Sequence, residues 1–285
     1  MTKPEIYELY ALRYAHLDTS RAHTFLGGVA QDAPLKMDYY IWLARSANHT
    51  VLIDTGFSEV TAQRRGRQWE RCPMESLNLL GVDSATVRDL VVTHLHYDHA
   101  GNLAKLPAAT LYLQKREMAF ATSRCMSVEH ISLGGIFEAE DVCAVVRSNF
   151  EGRVRFLEGD HEIVPGIQAH LVGGHTPGMQ MVSVNTARGC VVLMSDAAHL
   201  YENIEKQLPF YITHDVADMV AGWRKALILA GCSSRVVPGH DPLVAELYPT
   251  LNGDASLGIA ALHEQPRRNP LPPMGEILAR MPRLA

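Results

Sequence analysis

Short apolar runs separated by turn-forming clusters dominate the chain, and this pattern predicts strands more often than long helices. Tyr39-Tyr40-Ile41-Trp42-Leu43 and Thr50-Val51-Leu52-Ile53-Asp54 predict two strands joined by a turn around Ser46-Ala47-Asn48-His49. A second set follows at Ile167 to Val172, Met181 to Val184 and Cys190 to Met194. Each set holds an apolar strand ending in a carboxylate, Asp54 in the first and Asp196 in the second. Each is followed by a buried strand that runs straight into histidine, Leu90-Val91-Val92-Thr93-His94 and Arg235-Val236-Val237-Pro238-Gly239-His240. The halves resemble a weak internal duplication that gathers polar side chains at strand ends; chance similarity among Val-rich strands is the alternative.

Helices are expected between these strands. Asp215 caps a segment in which Val216, Met219, Val220, Trp223 and Leu227 recur at helical spacing, and Gly231 ends it. Met219 and Trp223 are thereby read as core. A second helix is predicted from Met74 to Leu80, a third starts near Ser84, and Ile277 to Met281 form a short docked helix. The region from Gln114 to Asn149, with its loop Ser132-Leu133-Gly134-Gly135, is expected to run over one edge of the site. No linker or low-complexity segment divides the chain, so one domain is expected over residues 1–285. Its core spans about 37–250, and 252–285 form a Pro- and Arg-rich tail.

Composition narrows the function classes. The formal net charge of −5 argues against a nucleic-acid binder, which would carry a basic stripe. The one basic run, Arg64-Arg65-Gly66-Arg67 with Arg71, sits beside Glu70 and Glu75 and reads as a solvated face. No apolar run is long enough to span a bilayer, so no membrane partner is expected. Met1-Thr2-Lys3-Pro4-Glu5 lacks the features of a secretory signal. The five cysteines form no C-x-x-C pair, and a cytoplasmic protein with reduced thiols is expected.

The chemistry concentrates in Thr93-His94-Leu95-His96-Tyr97-Asp98-His99-Ala100-Gly101, directly after an apolar run. Side chains two apart on an extended strand end point the same way, so His94 and His96 can reach one metal. Asp98 and His99 follow where the chain turns, which lets them face a second ion. Imidazole and carboxylate suit zinc, iron or manganese. Further candidate ligands are His175 in the glycine-rich turn Gly173-Gly174-His175-Thr176-Pro177-Gly178, Asp196 at a strand end, and His240 in Pro238-Gly239-His240-Asp241.

These motifs, with Leu52-Ile53-Asp54-Thr55-Gly56, resemble the metallo-β-lactamase superfamily over about Met37 to His240. The resemblance implies an α/β fold, an αββα sandwich of two mixed sheets flanked by helices, with two metals where the sheets meet. It implies that His94, His96 and His175 hold one metal and that Asp98, His99 and His240 hold the other. Asp196 bridges them, and Asp54 orients a ligand from behind. Departures narrow the choice. Zinc β-lactamases typically carry Arg at the place of His99 and Cys at that of Asp196, and flavodiiron proteins carry Glu at that of His96. Glyoxalase II has a helical domain where this chain has a short tail, and RNA-processing relatives use a basic arm. The closest likeness is to the N-acyl homoserine lactonases, carried by Met37-Asp38-Tyr39-Tyr40, the His94 to Gly101 stretch and the segment Asp196 to Phe210. That branch places a carbonyl-contacting tyrosine where this chain has His199, with Tyr201 two residues on, and a frequent histidine where it has Met179.

The implied activity is hydrolysis of a small-molecule lactone, first an N-acyl homoserine lactone, in a quorum-quenching role. Two divalent metal ions are implied, zinc foremost, with Fe, Mn or Co as alternatives. Asp98 is the candidate proton shuttle and His199 the candidate donor to the substrate carbonyl. Another cyclic ester, thioester or amide is the competing substrate class, and an iron-dependent redox enzyme of the same fold is the competing reaction. Met118, Phe120, Ile136, Phe137 and Phe210 are candidates for an apolar groove. The loop Ala22 to Gly28 is expected over the site or against a neighbouring subunit, and family habit suggests a homodimer.

Overall fold

The structure is a computed structural model that describes residues 5–130 and 133–282. Met1 to Pro4 of the N-terminal reading, Ser132 of the predicted loop and residues 283–285 of the tail lie outside the described residues.

The described chain forms β1 (Glu8–Ser20), β2 (Pro34–Arg45), β3 (Thr50–Ile53), β4 (Gln68–Trp69), β5 (Asp89–Val91), β6 (Thr110–Gln114) and β7 (Val154–Leu157). It continues with β8 (His161–Val164), β9 (Ile167–Leu171), β10 (Gln180–Thr186), β11 (Gly189–Ser195), β12 (Val236–Pro238) and β13 (Ile259–Ala261). Two mixed sheets result. One runs β13-β1-β2-β3-β5-β6-β7 with β4 paired to β1, and the other runs β12-β11-β10-β9-β8.

Alternation along the strands explains how the layers assemble. Leu9 and Ala11 of β1, Tyr40, Trp42 and Ala44 of β2, Val51 and Ile53 of β3, and Val91 of β5 share one core with the second sheet. Their neighbours Tyr10, Leu12, Ile41, Leu43, Leu52 and Leu90 pack on the other face, against helical residues such as Ala62, Leu77 and Val145. A period of two on a sheet covered on both sides produces this split. In the second sheet Met181, Val182, Val191, Val192, Leu193 and Met194 are all buried, because the helix Val216–Ala230 covers the outer face.

The two halves share a strand order. Strands β1-β2-β3 run antiparallel and β3 then pairs in parallel with β5. Strands β9-β10-β11 repeat that order, and β11 pairs in parallel with β12. The carboxyl ends of β3, β5, β11 and β12 lead into Asp54, Thr93-His94, Asp196 and Gly239-His240. Ligands commonly sit beyond such strand ends.

Asp215 caps the Val216–Ala230 helix by accepting from the Asp218 backbone N–H, Gly231 closes it at φ 64°, and Met219 and Trp223 are core. The Met74 helix forms as Pro73–Ser76 and tightens into a 3-10 turn over Leu77–Leu80. The expected third helix is only the 3-10 turn Ser84–Thr86, because the chain enters β5 within three residues. The Gln114 region supplies the helices Lys115–Ala121 and Ala139–Phe150, and the tail helix is Met274–Arg280, docked through Ile277.

Candidate metal centre

The strand ends place their polar groups under backbone strain. Asp54 sits at φ 60° just beyond β3, and Ser195 at φ 46° at the end of β11. Left-handed backbone is uncommon for either residue and persists where surrounding contacts over-determine it. At Asp54 those contacts are explicit. Its carboxylate accepts from Thr93 N and Thr93 Oγ1, each at 2.8 Å, and from His99 Nδ1 at 2.7 Å. Gly174 stands at φ 87°, where a Cβ would strike the Met219 backbone at 2.6 Å. That close approach fixes the turn presenting His175.

All seven candidate ligands are buried together at one edge. Asp98 is the most exposed of them at 8%. His94 Nε2 lies 2.9 Å from His96 Nδ1, and His175 Nε2 lies 2.8 Å from the same atom. His175 Nδ1 donates to the Ile212 carbonyl at 2.8 Å. His94 Nδ1 donates to Thr93 Oγ1 at 3.1 Å, because that hydroxyl spends its own proton on Asp54. With their outward nitrogens protonated, both rings turn lone pairs inward toward His96. A proton on His96 Nδ1 can serve only one of those two lone pairs, whereas a cation between the three nitrogens would serve all of them.

The second set shows the same mismatch. His240 Nδ1 donates to the Asp38 carbonyl at 2.9 Å, leaving Nε2 inward, 2.9 Å from Asp196 Oδ1 and 3.7 Å from Asp98 Oδ2. His99 Nε2 lies 3.2 Å from Asp196 Oδ1 and 3.6 Å from Asp98 Oδ2. Neither His99 Nε2 nor Asp196 Oδ1 has a hydrogen-bond partner, although both are buried. Buried polar atoms without partners cost free energy unless an ion fills the gap.

Asp196 joins the two sets through different oxygens. Its Oδ1 faces His99 and His240, while Oδ2 faces His175 at 3.3 Å and His94 at 3.9 Å. The ligand atoms fall into clusters of His94, His96 and His175, and of Asp98, His99, Asp196 and His240, each within 4.8 Å. This donor chemistry fits two divalent ions.

Electrostatics follow the geometry. Burial and the neighbouring imidazoles hold His94 and His96 well below the usual histidine range, and burial lowers His175 to about 3. Neutral rings are the form that binds metal. At His99 and His240 burial also opposes protonation, but the nearby carboxylates outweigh it and raise both. Burial would raise Asp196, yet His240 and His99 prevail and hold it well below the carboxylate range.

His199 is buried and lines the cavity. Its Nε2 donates to Asp196 Oδ2 at 2.9 Å, and its ring stacks on Phe210 at 3.6 Å between centroids. Tyr201 turns away into the core, 2% exposed, and does not line the cavity. Among the five groove candidates only Ile136 lines the cavity. Phe137 and Phe210 pack edge-on or tilted against His96 and His175, while Phe120 packs against Phe137 and His214; all three back the site from behind. The loop at residues 22–28 lies over the site: His23 and Thr24 line the cavity, and Thr24 O accepts from Tyr211 N at 2.8 Å.

Two residues escaped the sequence reading. Glu117 is fully buried and binds the loops of His94 to His96 and of His175; a lone Glu in an ordinary helix start gives no signal for this. Arg67 lines the cavity, so the basic run is not a uniformly solvated face. Arg64 is 59% exposed and Arg65 18%, and both pair with Glu138.

Comparison with known proteins agrees with this architecture. The model of the metallo-beta-lactamase superfamily matches residues 37–240. The chain belongs to that superfamily, as a hydrolase related to N-acyl homoserine lactonases and carrying a His/Asp metal site. Curated relatives include an N-acyl homoserine lactonase from Bacillus sp., 26% identical over 225 residues, covering 74% of this chain and 82% of the relative. Another, from Azorhizobium caulinodans, is 27% identical over 240 residues, covering 75% and 85%. A crystal structure of a quorum-quenching N-acyl homoserine lactone lactonase superposes with a TM-score of 0.69 at 21% identity, over 85% of this chain and 95% of that one. This last likeness shows the fold. Among the described residues no helix is long and apolar enough to cross a membrane.

Proposed function

We propose that the protein is a dinuclear metal hydrolase that opens a lactone ring, with N-acyl homoserine lactones as the first substrates and quorum quenching as the role. The observation that carries this reading is Asp196, whose two oxygens face two separate ligand sets. His94, His96 and His175 would hold one ion, Asp98, His99 and His240 the other, with Asp196 between. Zinc suits the imidazole-rich donor set, and Fe, Mn or Co share it. When bound, such ions lower the pKa of water and polarise a carbonyl.

The chain's own residues supply the remainder. Asp98 lines the cavity, with Oδ2 directed toward His99 and His240. From there it can take the proton released on attack and return it to the leaving alkoxide. His199 also lines the cavity and presents an N–H that can turn from Asp196 to the substrate carbonyl. The group of His175, Asp196 and His199 favours a second role for this ring, as an added metal ligand. The related lactonases and the free thiols of all five cysteines support an intracellular lactonase. The deciding experiment loads the protein with zinc, counts metal per chain, and reads proton release across lactones of varied ring and acyl chain. About two ions and ring opening are expected; one redox-active iron and no hydrolysis would overturn the proposal.

A further inference from the structure

Resting on the hydrolase reading above, the geometry points to a carboxylate-bearing substrate whose anionic group is held by Arg67. The residue follows the helix Glu59–Arg65, whose left-handed cap at Gly66 turns the chain back toward the site. Arg67 Nε donates to Tyr97 Oη at 2.9 Å, and Nη1 donates to the Arg65 carbonyl at 2.6 Å. Tyr97 lies between His96 and Asp98 in sequence, and its hydroxyl donates to Tyr39 Oη at 3.4 Å. Tyr39 in turn packs edge-on against His240 at 5.1 Å. The guanidinium is thus fixed one phenol away from both ligand sets.

Among the described residues its remaining nitrogen, Nη2, makes no hydrogen bond, and no carboxylate forms a salt bridge with Arg67. Burial works against the charge, but the phenols of Tyr39 and Tyr97 together with Asp98 outweigh it, so the group stays cationic. Among the described residues that line the cavity, and apart from the candidate metal ligands and histidines, Arg67 is the only charged side chain. Leu17, Met37, Ile136 and Ile212 make the apolar part of that wall and suit a carbon skeleton. A half-buried arginine with a free edge matches a planar carboxylate. Hydrolysis then adds water across the ester C–O bond of a lactone acid, giving a hydroxy-dicarboxylate and one proton.

The test compares γ-butyrolactone with its γ-carboxylated analogue, using the metal-loaded full chain and its Arg67→Gln and Arg67→Lys variants. The native protein is expected to favour the carboxylated ring by about 10- to 100-fold in KM. Arg67→Gln should bring that ratio near one, and Arg67→Lys should restore part of it. Calorimetry with the ring-opened products, 2-hydroxyglutarate and 4-hydroxybutyrate, reads the same preference without turnover. A preference for 2-hydroxyglutarate that Arg67→Gln abolishes supports the subsite even if neither lactone is opened, in which case the hydrolase reading alone fails. A product preference absent from the native protein, or unchanged by Arg67→Gln, overturns the subsite.

Discussion

Thr176 Oγ1 donates a 2.6 Å hydrogen bond to Glu117 Oε2, and through it the turn carrying His175 is tied to a carboxylate that contacts no candidate ligand. Gly178 N donates to the same oxygen at 3.2 Å, while Oε1 accepts from Leu95 N at 2.9 Å. Leu95 separates His94 from His96, so one side chain fixes the two backbone segments that present three imidazoles to one point. Gly178 packs so closely on the Glu117 backbone that no larger residue fits without a shift. Burial pushes the Glu117 carboxyl up to about 7, and the three donors pull it the other way.

Replacing Glu117 with Ala strands three buried donors and should lower stability by about 2–4 kcal/mol. It should also weaken metal retention by about 10- to 100-fold, as with other groups that orient ligands from behind. Metal competition measured well below the melting temperature checks this. Loss of thermal stability with unchanged metal affinity would reduce Glu117 to a packing role. Glu117→Gln keeps one acceptor oxygen and should fall between.

His96 carries the nitrogen on which His94 and His175 converge. His96→Ala is expected to lose one of the two ions and to cut hydrolysis by more than about 100-fold. Elemental analysis of the folded variant beside its lactone turnover reads both effects. A variant that kept two ions and full rate would displace the first ligand set.

The legible part of the site was the part made of histidine and aspartate in short spacings. His94, His96, Asp98 and His99 are local in sequence, and His175, Asp196 and His240 each follow an apolar strand. Strand ends were readable because β3, β5, β11 and β12 are short and buried on both faces. The long strand β1 was not, since Arg13, His16 and Asp18 interrupt its apolar positions. Its pairing with β2 over nearly its whole length makes it a strand, and pairing leaves no mark in local composition. Arg67 and Glu117 were hidden for a related reason: their roles come from partners at Tyr97 and Thr176, distant in sequence.

His199 separates two chemistries. As a donor to the substrate carbonyl, its loss in His199→Phe should lower kcat by about 100-fold while both ions stay bound. As an added metal ligand, its loss should lower metal content in step with activity. Steady-state kinetics on one lactone with metal counted in the same sample distinguishes them. An unchanged kcat/KM would remove His199 from the mechanism.

The wall of the cavity is held down by a bidentate pair. Arg21 Nη1 and Nη2 donate to Glu202 Oε2 and Oε1 at 2.6 and 2.7 Å, joining the start of the 22–28 loop to the helix Tyr201–Lys206. Hydrogen bonds from Arg21 first and Lys206 next outweigh burial and lower Glu202 from its ordinary 4.5 to about 2. A carboxylate whose pKa is depressed on folding contributes stability above its unfolded value and loses it as pH falls through the folded one. The contribution should therefore be complete above 4.5 and decline toward 2. Both side chains are partly exposed to screening solvent, so about 1 kcal/mol is expected for the pair. The melting-temperature gap between the native protein and Glu202→Gln reads it, because acid losses common to both cancel. A gap that stays constant from pH 6 to about pH 2.5 would show that the pair does not hold the loop. A gap that closes would show that Glu202 carries the depressed pKa of a paired carboxylate, so that acid weakens the tie between the His23 and Thr24 loop and the helix Tyr201–Lys206.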